Sequence, residues 1–314
     1  MVPRFRATWA AAALATAHPP RLRHPNKLVV QSVACPAGAA LGGDVTVTRW
    51  AAATPPDSWA PPKVRVLPGY FIYGNSAPGT TAWHQNFADP RLFGYYDTAL
   101  FAQDEMQVAE HPVLASVPRA MEAAGERAYT EENGQPTPIL VAGAERRVEV
   151  DTGPDLAPGR LSGLYGNRFG AASPDVVRSA CRVIVPPTVS NIIAIAALSG
   201  GRGPYSPEEL RHTLVTAYTG YRAAVLESAG TVEVHTGFWG CGAFGGHRVL
   251  MSALQIVAAG MAGVDTIVLH HGDASGKHPI HEAEQLVAGL SRDTTTMLAE
   301  LDATRFFWGV SDGN

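Results

Sequence analysis

The run Thr231-Val-Glu-Val-His-Thr-Gly-Phe-Trp-Gly-Cys-Gly-Ala-Phe-Gly-Gly246, read with the segments His247–Met261 and Asp265–Leu269 behind it, settles the fold class. Thr231–His235 alternates apolar and polar side chains, the period of a half-buried strand. Five glycines within the ten residues 237–246 then make a turn. His247–Met261 is almost wholly apolar, and Leu250, Leu254, Val257 and Met261 fall on one face at helical spacing. Asp265–Leu269 is a second strand, and His270-His271-Gly272-Asp273 closes the unit. Strand, glycine loop, buried helix and strand make one βαβ unit of a mostly parallel sheet. A glycine loop leading into a helix presents backbone N–H groups to an anion.

Gly240-Cys-Gly-Ala-Phe-Gly245 satisfies G-x-G-x-x-G, and Asp265 follows about twenty residues on, as a dinucleotide fingerprint asks. The acid is at the wrong end. A ribose-binding carboxylate sits at the carboxyl end of the second strand, whereas Asp265 precedes Thr266–Leu269. The phosphate-cradle reading is kept and the nicotinamide one set aside.

With 46% hydrophobic and 17% charged residues, the 314-residue chain has ample material for a core. A net charge of -4 gives no electrostatic footprint for nucleic acid or an anionic membrane. Cys35, Cys181 and Cys241 are too few and too scattered for a disulfide framework, which favours a reducing, cytoplasmic setting. Arg4 and Arg6 precede the alanine-rich run Ala7–Ala17, read as a surface helix, with an export signal ending at Ala15-Thr-Ala17 as the alternative. No segment approaches the roughly twenty apolar residues of a membrane span. His270, His271, His278 and His281 match no zinc spacing, so no metal and no cofactor is expected.

Along the chain, Lys27–Ala34 and Val45–Trp50 read as β-type runs, Lys63–Leu67 as a short strand and Tyr70–Tyr73 as another. Gly74–Thr81 reads as a turn. Trp83–Asp89 and Pro90–Asp97 read as an aromatic loop walling a flat ligand. Thr98–Ala109 is predicted helical and carries Gln103-Asp104-Glu105 among apolar neighbours, so the acids are either a solvated edge or deliberately placed. Ile139–Ala142, Arg182–Val185 and Asn191–Leu198 are predicted strands, Pro186-Pro187 ending the second. The segment Asp151–Ala172 is glycine-rich and irregular, and Ser173-Pro174 caps a short helix. Ser206-Pro-Glu-Glu209 is a capping box opening a helix to Leu226 whose Tyr218 and Tyr221 are core. Glu282–Leu301 supplies one or two helices, and Phe306, Phe307 and Trp308 are expected to pack back. Interleaved strands and helices without a long linker predict one three-layered α/β domain over 1–314, a monomer, with an N-terminal strand and helix extension over 1–44.

The loop with its flanks, His235–Gly246, resembles the macrodomain-type poly(ADP-ribose) glycohydrolases, whose loop follows a T-G-x-W-G-C-G-A-F-G-G pattern. The family's Gln-Glu-Glu signature stands here as Gln103-Asp104-Glu105, followed by Pro112 and Leu114. Phe87-Ala88-Asp89 sits where the family has Phe-Ala-Asn, and Pro56–Trp59, Val141–Glu145, Asn191–Ile195, Ala217-Tyr218 and Gly272-Asp273 fall in family order. Three departures bear on the substrate. The Gly-Gly-Gly loop before the catalytic helix is Phe93-Gly94-Tyr95, the aromatic before the terminal Gly-Asp is His271, and the tyrosine-rich segment is replaced by Arg146–Val150.

The resemblance implies a macrodomain-like α/β/α sandwich with a mixed, mostly parallel sheet. It also implies an enzyme that binds ADP-ribose and hydrolyses the glycosidic bond linking it to another ADP-ribose or to a modified protein or nucleic acid. It puts Glu105 in the role of general acid and base, with Asp104 orienting substrate or water. It places Asp89, Gly94, Gln103, Thr236, Gly237, Trp239, Gly240, Cys241, Gly242, Ala243, Phe244, Gly245 and His271 at the ligand. Adjacent residues on a helix point about 100° apart, so Asp104 and Glu105 cannot face each other as an ordinary glycosidase pair. A non-catalytic ADP-ribose reader and a nicotinamide-dependent oxidoreductase are the alternatives.

Overall fold

The computed structural model describes every residue except 72, 75, 157, 158 and 314. Its strands are β1 Pro3–Ala10, β2 Asp44–Trp50, β3 Lys63–Leu67, β4 Thr80–Ala88, the two-residue pair β5 Glu131–Glu132 and β6 Gln135–Pro136, β7 Ile139–Val150, β8 Cys181–Ala196, β9 Thr231–Thr236 and β10 Thr266–His270. The helices are α1 Ala11–Ala17, α2 Pro25–Ala34, α3 Gln103–Glu110, α4 Val117–Ala123, α5 Asn167–Ala171, α6 Pro174–Ala180, α7 Pro207–Leu226, α8 Arg248–Ala262, α9 Lys277–Gly289 and α10 Thr294–Thr304. Eight strands share one sheet in the order β1-β2-β7-β8-β4-β9-β10-β3. The first three pairings are antiparallel and the last four parallel. The expected mixed, mostly parallel α/β/α sandwich is borne out.

The alternation of β8 shows how the layers are sealed. Ile193 and Ile195 enter a core with Leu210, Leu214, Leu250 and Leu254 of α7 and α8. Ile192 and Ala194 enter the core on the other face with Val30 of α2, Val108 of α3 and Leu114. Successive strand residues point to opposite faces, so one buried apolar run serves two helical layers. Tyr221 is fully buried and Tyr218 nearly so, as the helix periodicity predicts.

Several expectations are corrected. Lys27–Ala34 is helical, because Pro25 at the first helical position and the His24 ring accepting the Asn26 N–H start a helix there. Residues 7–10 of the alanine-rich run belong to β1, which pairs with β2 at the edge of the main sheet, and only Ala11–Ala17 is helical. Trp83–Ala88 is central strand rather than loop, with Trp83 in the core, while Phe87 and Tyr95 of the aromatic stretch do line a cavity. β8 runs unbroken through Pro186-Pro187, and β7 extends to Val150. The helix expected from Thr98 begins at Gln103, the residues before it making turns. Trp308 stacks on Tyr205 and Phe306 sits beside His247, but Phe307 is exposed. The strand expected over Tyr70–Tyr73 includes Ile72, which lies outside the described residues, as do Asn75 of the predicted turn and Ala157 and Pro158 of the irregular segment. Among the described residues no helix is long and apolar enough to cross a membrane.

Candidate active site

Every parallel strand delivers its carboxyl end to one cavity of about 1630 Å³. The rim is formed by Pro68 and Gly69 after β3, Asp89 after β4, Ala197 after β8, Gly237 after β9, and His270 and His271 at the end of β10. Ligands bind at this edge of an α/β sheet. At the opposite edge, the Asp265 carboxylate accepts the Val232 N–H at 2.8 Å, so it is remote from any ribose in the cavity. That bears out the position expected of Asp265, before its strand rather than after it.

The glycine loop forms one wall. Four of its amides turn onto neighbouring carbonyls: Trp239 to Gly237, Cys241 to Phe238, Gly245 to Gly242 and Gly246 to Gly240. The amides of Gly240, Ala243 and Phe244 have no acceptor among the described residues. Trp239 anchors the loop, its indole N–H donating to the Ile195 carbonyl at 3.2 Å. Gly240 has φ +73, and a β-carbon there would meet the Ala197 methyl at 2.6 Å. Only glycine fits. Burial pushes the Cys241 thiol far above its usual range, so it stays protonated and inert.

The first turn of α3 lines the same cavity. The Gln103 side chain accepts the Phe87 N–H at 2.7 Å and donates to the Gln85 carbonyl at 3.1 Å. β9 pairs with β4 only as far as His84, so the amide of Gln103 does what the next strand residue would do. It fastens the helix start to the end of β4. Asp104 accepts the Asn86 side-chain N–H at 3.0 Å, and Glu105 accepts the Ala102 N–H at 2.9 Å. Both acids are buried while lining the cavity, which rules out the solvated-edge alternative. Burial, reinforced by the Glu105 charge, holds the Asp104 carboxyl well above the ordinary range. Burial also raises Glu105, with Lys27 and the Ala102 N–H pulling the other way.

Of the residues expected at the ligand, Asp89, Gln103, Gly237, Trp239, Gly240, Cys241, Gly242, Ala243, Phe244 and His271 line the cavity. Gly94, Thr236 and Gly245 do not. Gly94 sits inside a run of turns, its N–H on the Arg91 carbonyl. Thr236 is buried, with its hydroxyl on Gln255 at 2.6 Å. Gly245 is covered by the tail, whose Gly309 N–H reaches its carbonyl at 2.7 Å. Gln103 contributes position, since both ends of its amide are engaged.

Sequence reasoning missed four contributors. Tyr70 and Tyr165 stack at 5.8 Å on the cavity wall. Arg248, the first residue of α8, lies over the Phe238 ring at 4.8 Å. The chain end crosses the glycine loop, where a β-carbon on Gly242 would meet the Asp312 carboxylate at 3.1 Å. Asn167 holds the strap by donating to the Gly313 carbonyl at 2.9 Å. The stacked tyrosines and the strap are long-range pairings with no local signature. His278 and His281 are exposed on α9, and no group of three metal-binding side chains occurs among the described residues.

One stability prediction follows from Asp104. Its folded-state pKa lies above the unfolded value, so it costs nothing at low pH, where both states hold the proton, and stability is lost as pH rises through the folded value. Asp104→Asn is expected to raise stability by about 0.5–2 kcal/mol at pH 7. Denaturant titrations should show the gain vanish toward pH 3. An equal gain at both pH values would mean that ionisation is not its source.

Residues 165–278 match the family model described as poly(ADP-ribose) glycohydrolase (PARG), macro domain fold. That stretch is just over a third of the chain and contains the glycine loop, its strands and α8. The resemblance read from the loop is thereby shown. α3, with Glu105, lies outside the match. Among solved structures, the chain is similar to the poly(ADP-ribose) glycohydrolase from Thermomonospora curvata, with 16% identity over 87% of each chain and a TM-score of 0.45. It is also similar to that from Deinococcus radiodurans in complex with ADP-ribose, with 13% identity, coverage of 88% of this chain and 98% of that one, and a TM-score of 0.43.

Proposed function

We propose that this chain, whose residues 165–278 match the poly(ADP-ribose) glycohydrolase family, binds ADP-ribose in the cavity at the sheet's carboxyl edge and hydrolyses the glycosidic bond that links it to a larger target. The observation that carries the proposal is the shared cavity: a buried carboxyl, Glu105, lines it together with a loop of backbone amides before a helix N-terminus. The amides of Gly240, Ala243 and Phe244 suit a diphosphate. Small-ligand pockets measure about 300–1,000 Å³, and a cavity of about 1630 Å³ has room for ADP-ribose with part of its leaving group.

In this reading Glu105 protonates the leaving oxygen as the glycosidic C–O bond breaks through an oxocarbenium-like state. The resulting carboxylate then takes a proton from water as the water oxygen bonds to the anomeric carbon, and the acid is restored. Asp104, held by Asn86, orients water or a ribose hydroxyl. The deciding experiment offers a panel of poly- and mono-ADP-ribosylated proteins and nucleic acids and looks for free ADP-ribose. Tight ADP-ribose binding with no release from any substrate would favour the reader alternative.

The strap adds a test of where the diphosphate sits. Asp312 puts a carboxylate against Gly242, inside the proposed cradle, where it repels an incoming anion. Asp312→Ala is expected to tighten ADP-ribose binding by up to about tenfold at low salt. By calorimetry the gain should narrow as ionic strength rises. No gain at any salt concentration would place the diphosphate elsewhere.

A further inference from the structure

α2 packs directly against α3 and α6. The Asn26 side chain caps two carbonyls at the end of α5, those of Phe169 at 2.7 Å and Ala172 at 2.9 Å. That docking turns the next residue, Lys27, inward, where its side chain is completely buried. The ammonium donates to the Tyr96 carbonyl at 3.1 Å. It lies 4.7 Å from the centroid of the Tyr96 ring, 5.3 Å from Phe101 and 5.8 Å from Phe169. Aromatic faces and one carbonyl favour a cation, but they do not form an ion pair, and Leu or Met would fill such a slot without desolvating a charge. Phe101 stands two residues before α3, so the cation is held behind the turn that carries the two acids.

We propose that Lys27 is a positioning residue for the acid/base chemistry: a fixed cation behind the first turn of α3 that stabilises the Glu105 carboxylate once its proton has been given to the leaving group. The proposal rests on the reading of Glu105 as the acid. It accounts for a charge buried away from the cavity. A carboxyl raised by burial alone holds its proton too tightly to be an efficient donor. The charges acting on Glu105 are Lys27 from α2 and Asp89 from the end of β4, with Asp104 next to it in the chain and Tyr165 against the Gln103 backbone. Lys27 is the one cation among them. Its own surroundings include Asp97 besides the two acids of α3, and burial lowers its pKa to about 8.

The test compares wild type with Lys27→Met, which keeps an unbranched side chain one atom shorter and removes the charge, and Lys27→Arg, which keeps the charge. The pH dependence of ADP-ribose release is measured beside the carboxyl-carbon NMR titration of Glu105, assigned by its loss in Glu105→Gln. In Lys27→Met, the Glu105 midpoint and the fall in rate at high pH should both move up by about one pH unit or more. Lys27→Arg should stay close to wild type. A folded Lys27→Met whose Glu105 midpoint does not move overturns the proposal. Should Lys27→Met not fold, wild type alone decides: the Lys27 side-chain Cε signal reports the pH at which the ammonium loses its charge, the Glu105 carboxyl signal should show an inflection at that same pH, and its absence there overturns the proposal. If wild type releases no ADP-ribose while the Glu105 titration shifts as expected, the glycohydrolase reading fails and the influence of Lys27 on Glu105 stands.

Discussion

Glu105→Gln is expected to slow release of ADP-ribose from a modified target about 10²- to 10⁴-fold, the usual contribution of one general acid, while free ADP-ribose binds as tightly as to wild type. The fold should survive, because the amide oxygen of Gln accepts the Ala102 N–H that the carboxylate now accepts at 2.9 Å. What is lost is the proton. The buried setting raises the Glu105 pKa and favours the protonated form, and an amide has no such proton to supply. Single-turnover release and calorimetric binding on the same preparation separate the two effects. Unimpaired release would remove Glu105 from the chemistry. A parallel loss of affinity would recast it as a binding residue.

The second large effect is expected at Gly240. Alanine there is forced into the left-handed region at φ +73, and its β-carbon meets the Ala197 methyl at 2.6 Å. Neither methyl group has a flexible end to swing away, so the loop backbone must move. Conformational strain and overpacking together cost about 2–5 kcal/mol. Part of this should appear as a lower Tm. Part should appear as roughly 10- to 100-fold weaker ADP-ribose binding, since the displaced amides are the proposed anion donors. Gly289→Ala, at the end of α9 with nothing within 4 Å of the new methyl, is the control and should change neither. A Gly240→Ala protein with wild-type affinity and Tm would take the loop out of the binding site.

The parts of the site legible in the chain were those written locally. The glycine loop declares itself because left-handed backbone and close approach demand glycine at positions such as Gly240. The motif Gln103-Asp104-Glu105 was visible, but its meaning was not. Whether those acids were a solvated edge or a buried pair depended on what covers α3, and that cover comes from distant β4 and α2. The aromatic run Trp83–Asp89 misled for a related reason. Bulky residues suit a ligand wall and a central strand equally, and only pairing with β8 and β9 on both sides makes it a strand. The N-terminal alanines read as helix by propensity, yet pairing with β2 draws Ala7–Ala10 into the sheet.

By itself the amino-acid sequence determined the βαβ unit, the glycine cradle at its turn, the capped α7 and the order of the family motifs. Each follows from periodicity or backbone chemistry over a few neighbouring residues. Tertiary structure alone decided that Glu105 is buried and lines one cavity with that loop, that Gln103 stands in for a missing strand residue, that Lys27 is buried on the Tyr96 carbonyl, and that Asp312 lies against Gly242. Burial and charge proximity are properties of whichever segments meet in space, and these meet across most of the length of the chain.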